Sequence, residues 1–473
     1  MSSTRAALPP PGVESVEGAD EEWAPGSTER ILRVPDVRRV ITGRALTVGA
    51  SRMLMVALML WVEGAGFGAV AMAAVMVSVA LPPLFFMATA GDTADQYDSR
   101  RVLVLGTAVQ VVGALAVTAA VLWAPRELAV PLVVAMAFLF QTGSTFSQPV
   151  WDALVPRIVG EERVGAVFSW QQGASSISGP LGAGIGGVVF GLVSGAAALG
   201  MTTALTASIL VPALLLRTRR GGPADELLRE SREEARRAAA EHGPWARFWR
   251  RTPFGQVSRG VGVLRTVPAA AVIATTLFAF IVAQGASNVV EVFLVRGPIG
   301  ASEAEYGISE AFAAIGGVAG AWATAKVVSP SKRVHVLVAG LALGGFTLLW
   351  IGMAPSFWFY AAGQVALGVM QAMVVSSAVT VTITSAPEER RGAVLAGFSG
   401  VTKMGTVCAL CTGAVVGSLL EPRTAFLVLG TAALVLLAAT GWRLPGISRE
   451  LARQEAAQRE EQAGAPAPVA AAA

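Results

Sequence analysis

Two cations occur where lipid would not tolerate them alone. Arg52 and Lys403 each lie well inside a long apolar stretch, and a charge at that depth costs at least about 2.5 kcal/mol unless it meets a partner or a wet cavity. No acid lies at comparable depth in the first-half core, so the two charges favour an anionic or carboxylate-bearing small molecule. The alternatives are that Arg52 snorkels and that Lys403 meets backbone carbonyls. Glu291 and Glu310 fall toward the ends of their own stretches and are candidates to neutralise these cations or to carry protons. Gln141 and Gln171, with Gln172, Asn288 and Gln364, add uncharged polar groups at cavity depth.

Other chemistries lack their residues. Cys408 and Cys411 share a helix face, but the only histidines, His242 and His335, lie in loops, so the cysteines read as small packing residues and neither metal nor cofactor is expected. The run SGPLGAGIGG, Ser178 to Gly187, has the G-x-G-x-x-G spacing at Gly182, Gly184 and Gly187. No strand precedes it, as a dinucleotide site requires. Gly179, Gly182, Gly184 and Gly187 instead let another helix approach, with Gly316, Gly317 and Gly320 as the expected facing glycines and Pro180 as a kink. An intramembrane enzyme would need a nucleophile, an acid–base pair or a metal cluster, and it is not expected, because no histidine reads as intramembrane, no HExxH occurs and no Asp pair sits within a span; no GxxxxGK[ST] loop marks a primary pump.

The stretches that must position these residues are membrane spans. Of 473 residues, 54% are hydrophobic and 14% charged, and the mean hydropathy is +0.60, more apolar surface than one soluble core can hide. Windows near the length of a bilayer crossing fall at 40–62, 67–90, 101–123, 129–155, 165–193 and 197–216, then at 268–294, 305–327, 334–353, 356–384, 392–418 and 424–443. EERVGAV at Glu161 to Val167 returns as EERRGAV at Glu388 to Val394. A charged hinge reused about half a chain later, each time opening an apolar stretch, indicates two related halves. The expected fold is therefore an all-α integral membrane protein with twelve transmembrane helices in two pseudo-symmetric six-helix bundles.

The bundles are expected at 31–217 and 267–445, joined by a linker at 218–266. Residues 1–30 read as a disordered tail with no signal-peptide core, and 446–473 as a second tail in which Arg449 to Ala473 is a short charged helix candidate trailing into APAPVAAAA. Within the linker, Asp225 to Glu241 reads as a solvated helix, and Trp245, Phe248 and Trp249 alternate with arginines, as at a membrane surface. Loops on the outer side carry only Arg126, Arg296 and Arg423, whereas Arg100, Arg101, Arg157, Arg163, Lys332, Arg333, Arg390, Arg391 and the linker share the other side. Both termini are thus expected in the cytoplasm of a cell-membrane protein. The net charge of +4 follows from that bias and anionic lipid, so no nucleic-acid partner is inferred.

The connection between the second and third windows reads GDTADQYDSRRVL, Gly91 to Leu103. Gly91 and Asp95 followed by Arg100 and Arg101 resemble the cytoplasmic signature of the major facilitator superfamily. Asp98 in place of the usual second glycine resembles its branch of proton-linked drug and siderophore exporters. PVWDALVPRIV at Pro149 to Val159, the glycine run at Ser178 to Gly187, GVGVLRTVP at Gly260 to Pro268 and APEERRGAVLAG at Ala386 to Gly397 resemble that branch more weakly. The likeness covers about 31 to 445. It departs at Gln96 and Ser99, where basic residues are common, in a fourth window without an intramembrane Arg, and in GAWATAKVVSPSKR at Gly320 to Arg333, which lacks the Asp.

The resemblance implies a secondary transporter of a small organic molecule, a proton-coupled exporter acting as a monomer by alternating access. An uptake carrier, a facilitator and a transport-inactive receptor remain as alternatives. Asp95 is a carboxylate suited to a helix N-terminus. The resemblance implies that it faces Arg391 and Gly392 at the start of the eleventh helix, and that Arg100 or Arg101 reaches Asp152, forming a latch on the cytoplasmic side. The independent alternative for those arginines is the charge bias alone.

Overall fold

The computed structural model describes residues 31–160, 163–218, 262, 268–327, 329–384 and 391–464. The expected linker helix and its tryptophans, the tail 1–30 and the first residues of both hinge copies lie outside the described residues. In chain order the helices are α1 Pro35–Gly64, α2 Gly68–Gln96, α3 Ser99–Trp123, α4 Arg126–Val159, α5 Val164–Leu192, α6 Gly195–Leu215, α7 Pro268–Arg296, α8 Glu303–Ala325, α9 Pro330–Gly352, α10 Phe357–Thr384, α11 Arg391–Leu419, α12 Pro422–Gly441 and α13 Leu444–Gly464.

Local chemistry sets their ends. Asp98 caps α3 by accepting from the Arg101 amide at 3.1 Å. Ser194 caps α6 from the Ala197 amide at 3.1 Å, and Ser302 with Glu305 forms a capping box on α8. Prolines open α1, α9 and α12, where their missing amide is no loss. The helices overrun the expected windows, α1 beginning at Pro35 and α4 spanning Arg126–Val159. Apolar windows mark what lies in lipid, whereas caps and prolines decide where the helix stops. The last span of the first half is not continuous as expected: it breaks at Ile209 between Gly195–Ser208 and Leu210–Leu215. Pro212 has no amide to offer the Ser208 carbonyl.

The packing pattern of the first half recurs six helices later. The contacts α1 with α5, α2 with α4, α3 with α4, α3 with α6 and α1 with α6 return as α7 with α11, α8 with α10, α9 with α10, α9 with α12 and α7 with α12. Between halves, α5 meets α8 and α2 meets α11, the exchange that a twofold relation between the bundles requires. Among the described residues, eleven helices are long and apolar enough to cross a membrane. The two others are α8, which carries Glu303, Glu305 and Glu310, and the charged α13. α8 packs between α5 and α10, in the position of the twelfth expected span.

The apolar core is distributed unevenly along the bundle axis. At the end where α1 meets α2, here the far end, one cluster joins both halves, including Leu58 and Met72 from the first and Val290, Tyr360 and Phe426 from the second. At the opposite end, where the linker attaches, the core splits. Trp151, Leu154 and Leu103 belong to a first-half cluster, and Ile273, Leu341 and Val381 to a separate second-half one. The halves are thus fused at the far end and parted at the linker end, with a cleft between them.

Candidate functional site

Both cations lie near the middle of their helices, Arg52 on α1 and Lys403 on α11. Arg52 is exposed although α1 is 61% buried over its apolar window; α4, α5 and α6 flank the other faces of α1. Its Cγ lies 3.7 Å from where a Cβ on Gly179 would stand. Among the described residues Arg52 makes no hydrogen bond or ion pair. The Lys403 ammonium, on α11, lies 2.6 Å from Sδ of Met87 on α2. A thioether is a weak acceptor and carries no charge to offset the ammonium. Beside Lys403, a cavity of about 340 Å³ is lined by Gln284 and Asn288 of α7, Gln371 of α10 and Thr402 and Thr406 of α11. All of its lining belongs to the second half, and its uncharged donors and acceptors can orient a polar ligand there.

The expectation that Glu291 or Glu310 neutralises those cations is corrected. The Glu291 carboxylate accepts from the Tyr360 hydroxyl and from Gln364 Nε2, Gln364 also reaches the Tyr360 oxygen at 2.5 Å, and Tyr360 lies 3.4 Å from Ser309 Oγ. Tyr360 is fully buried. This network ties α7, α8 and α10 together inside the second half, and it occupies Gln364, which was expected at the cavity. Glu310 makes no hydrogen bond or ion pair among the described residues. Gln141 is buried within α4. Gln171 is 3% exposed, with neither amide atom partnered.

Charge closes the far end. Arg296, the last residue of α7, lies 3.4 Å from Glu63 of α1, pairs with Glu303 at the start of α8 and donates to the Ala301 carbonyl at 2.7 Å. One guanidinium therefore holds carboxylates from both halves. Beneath it the Tyr306 hydroxyl donates to Met59 Sδ at 3.2 Å, and a Cβ on Gly187 would stand 2.5 Å from Gly307 Cα.

At the linker end, Gly91 and Asp95 lie on the last turns of α2, Arg100 and Arg101 on the first turn of α3, and Arg391 and Gly392 open α11. Asp152 makes neither a hydrogen bond nor an ion pair with Arg100 or Arg101; the cation whose charge acts on it is Arg44 of α1. Gly43 admits the Trp151 ring, whose nearest atom would lie 2.5 Å from an added Cβ, and this contact brings the next residues, Arg44 and Asp152, alongside one another. In the second half, Arg333 donates at 3.0 Å to both Ser376 and Thr380 of α10 and at 2.8 Å to the Val327 carbonyl, tying α9 to α10.

The glycine contacts differ from those expected. Gly182 meets the Gly49 carbonyl of α1, Gly187 meets Gly307, and Gly184 only approaches Gly307 O at 3.8 Å. Gly316 and Gly320 face Val365 and Val369 of α10, and Gly317 lies 3.9 Å from Gly368 O, so these three serve α8 against α10 rather than against α5. Gly179 meets Val48 and Arg52, and Pro180 lies within α5. The facing glycine of α5 is Gly307, one of the buried α8 residues near its start, where α5 and α8 converge.

Sequence reasoning missed Asp36. Buried at the start of α1, it accepts from the Thr218 amide at 2.7 Å, the Thr218 hydroxyl at 2.6 Å and the Arg217 amide at 3.4 Å, and it pairs with Arg39 at 2.5 Å. It ties the chain leaving α6 to the chain entering α1. Pro35 followed by an acid in the first turn was the only available signal, and the partner lies too far along the sequence to read. Cys408 and Cys411 are unpaired on α11, and no described group of three His, Cys, Asp or Glu is placed to hold a metal.

A paired-half bundle with a cleft closed at one end is the architecture of a transporter fold, and the family comparison agrees. The Major Facilitator Superfamily matches residues 40–354 and 273–471, and the chain belongs to that family. Among solved structures it resembles a POT family transporter in complex with 5-aminolevulinic acid (14% identity, 87% of this chain and 96% of that one, TM-score 0.61). It also resembles the nucleoside transporter NupG (13%, 86% and 98%, 0.66) and a bacterial homologue of the iron transporter ferroportin in an inward-facing state (16%, 88% and 99%, 0.63). At these identities the likeness is one of fold. No curated protein matches the chain in sequence.

Proposed function

We propose that this protein is a secondary transporter that moves a small anionic organic molecule across the cell membrane by alternating access. The observation that carries the reading is the division of the core: one cluster across both halves at the far end, two separate clusters at the linker end. Arg52 and Lys403, mid-helix in the first and second half, are the charges that support an anionic substrate. Bundles that share contacts at one end only can rock about mid-span, breaking the far-end contacts and making new ones at the linker end. With basic loops on the linker side, that end is cytoplasmic, and the conformation described is open to the cytoplasm. Asp95 closes the linker end in the opposite state by facing the start of α11.

Export is the direction that the signature around Gly91 to Arg101 supports, and Glu291 and Glu310 are the carboxylates through which protons would couple. The chain acts as a monomer, since its cleft is completed by its own two halves. Reconstituted protein in sealed vesicles under an imposed pH gradient tests the reading, with anionic, neutral and cationic compounds supplied in turn. Movement of anions driven by the gradient is expected. Transport of cations alone would overturn the charge argument, gradient-independent movement would make the protein a facilitator, and no movement of any compound would favour a receptor.

A further inference from the structure

A cavity of about 1280 Å³ lies between α5 and α8, one helix from each half, above the roughly 300–1,000 Å³ of an ordinary small-molecule pocket. Its far end is closed where Gly187 meets Gly307. Ile177, Leu181, Ile315 and Val318 line it and are 57–68% exposed, an open apolar edge that suits hydrocarbon. The other edge is polar. Ser169, Gln172 and Ser176 line it at spacings of three and four, one stripe along α5. The stripe leads to Pro180, also in the lining, whose neighbour Gly179 touches Arg52. Along α8 the lining runs from Ile308 to Ala321, about 20 Å of helix, more than the ~15 Å of one leaflet's hydrocarbon. Just beyond it Lys326 sits 3.2 Å over the Trp322 ring, a cation placed to meet an acidic headgroup.

We propose, resting on the transporter reading above, that the transported molecule is a single-chain anionic amphiphile. Its phosphate or carboxylate head reaches Arg52 and its alkyl chain lies in the α5–α8 groove, entering sideways from the bilayer. A polar stripe beside an apolar wall suits a head joined to a chain. The unpaired guanidinium selects an acidic head over a cationic one, and one groove of this length takes one chain.

The test uses the full chain in phosphatidylcholine vesicles with dodecyl phosphate carrying a diazirine at the chain end. Cross-links are expected to concentrate at 177–185 of α5 and 308–318 of α8. Excess dodecyl phosphate should remove them, whereas butyl phosphate and dodecyltrimethylammonium should not. Ile315→Trp, or Val318→Trp should the first variant fold poorly, should abolish the labelling by filling the groove. Arg52→Gln should weaken competition about tenfold or more, the loss of one charge-assisted contact. Labels spread equally over other lipid-facing side chains such as Leu105 and Val112, as two-chain bulk lipid would produce, would overturn the proposal, as would labelling that excess dodecyl phosphate leaves unchanged. Concentrated, competed labelling without transport would uphold the groove and sink the transporter reading alone.

Discussion

Replacing Arg296 by Gln removes the far-end clasp and leaves Glu63 and Glu303 beside each other without their cation. The side chains of Arg296, Glu63 and Glu303 are 22%, 21% and 31% exposed, so each pair lies between the exposed and buried limits. Exposed pairs contribute about 0.2–1 kcal/mol, and breaking a fully buried pair costs about 3–5 kcal/mol. Only the Arg296–Glu63 pair crosses between the halves, with Glu303 fixing the guanidinium from within the second half, and at this intermediate burial that clasp holds the far end shut by about 1–2 kcal/mol. That is a 5- to 30-fold change in the ratio of closed to open states. The assay is maleimide labelling of Met59→Cys, buried under Tyr306, in a background with Cys408 and Cys411 replaced by Ala. An impermeant reagent supplied from the far side should react 5- to 30-fold faster in Arg296→Gln than in its parent. Glu63→Gln should act in the same direction, and the double variant should fall short of the sum because the two residues share one contact. An unchanged labelling rate in both single variants would refute the claim that this guanidinium holds the halves together.

Three further outcomes are expected. Gly316→Ala drives a methyl into the Val365 carbonyl of α10, whereas Gly184→Ala meets only Gly307 O at 3.8 Å. Thermal unfolding in detergent should therefore show a loss of about 1–3 kcal/mol for the first, as for overpacked cores, and little change for the second. Asp36→Ala leaves the Thr218 amide and hydroxyl and the Arg217 amide without their acceptor and should cost about 1–3 kcal/mol, with amide exchange at 217–218 accelerating first. Asp95→Asn should leave the protein in the membrane but slow transport severely, and normal transport by that variant would remove the latch from the mechanism.

The linker-end network illustrates what distance in sequence hides. GDTADQYDSRRVL was visible as a charged turn between two spans, and Asp98 holds α3 by a bond to an amide three residues on, a local event that sequence can anticipate. Asp152 was equally visible, yet its electrostatic partner Arg44 stands on another helix and arrives there because Gly43 makes room for Trp151. The glycine run of α5 was legible as a site of close approach, but the partner glycine was not. Composition tells that a face is small without telling what crosses it, and three candidate glycines on α8 turned out to serve α10.

By itself the sequence determined the order of the apolar helices, the duplication, the loops of opposite charge bias and the two cations that lipid cannot hold unpaired. Those features follow from hydrophobic length, caps and local charge, which act within a few residues. Only the tertiary structure decided that Glu291 belongs to Tyr360 and Gln364 rather than to the cations, that Arg296 clasps both halves, and that the core is joined at one end and parted at the other. These depend on which helix faces meet across hundreds of residues, because packing in a bilayer is decided by shape and hydrogen bonding between faces that are equally apolar in sequence.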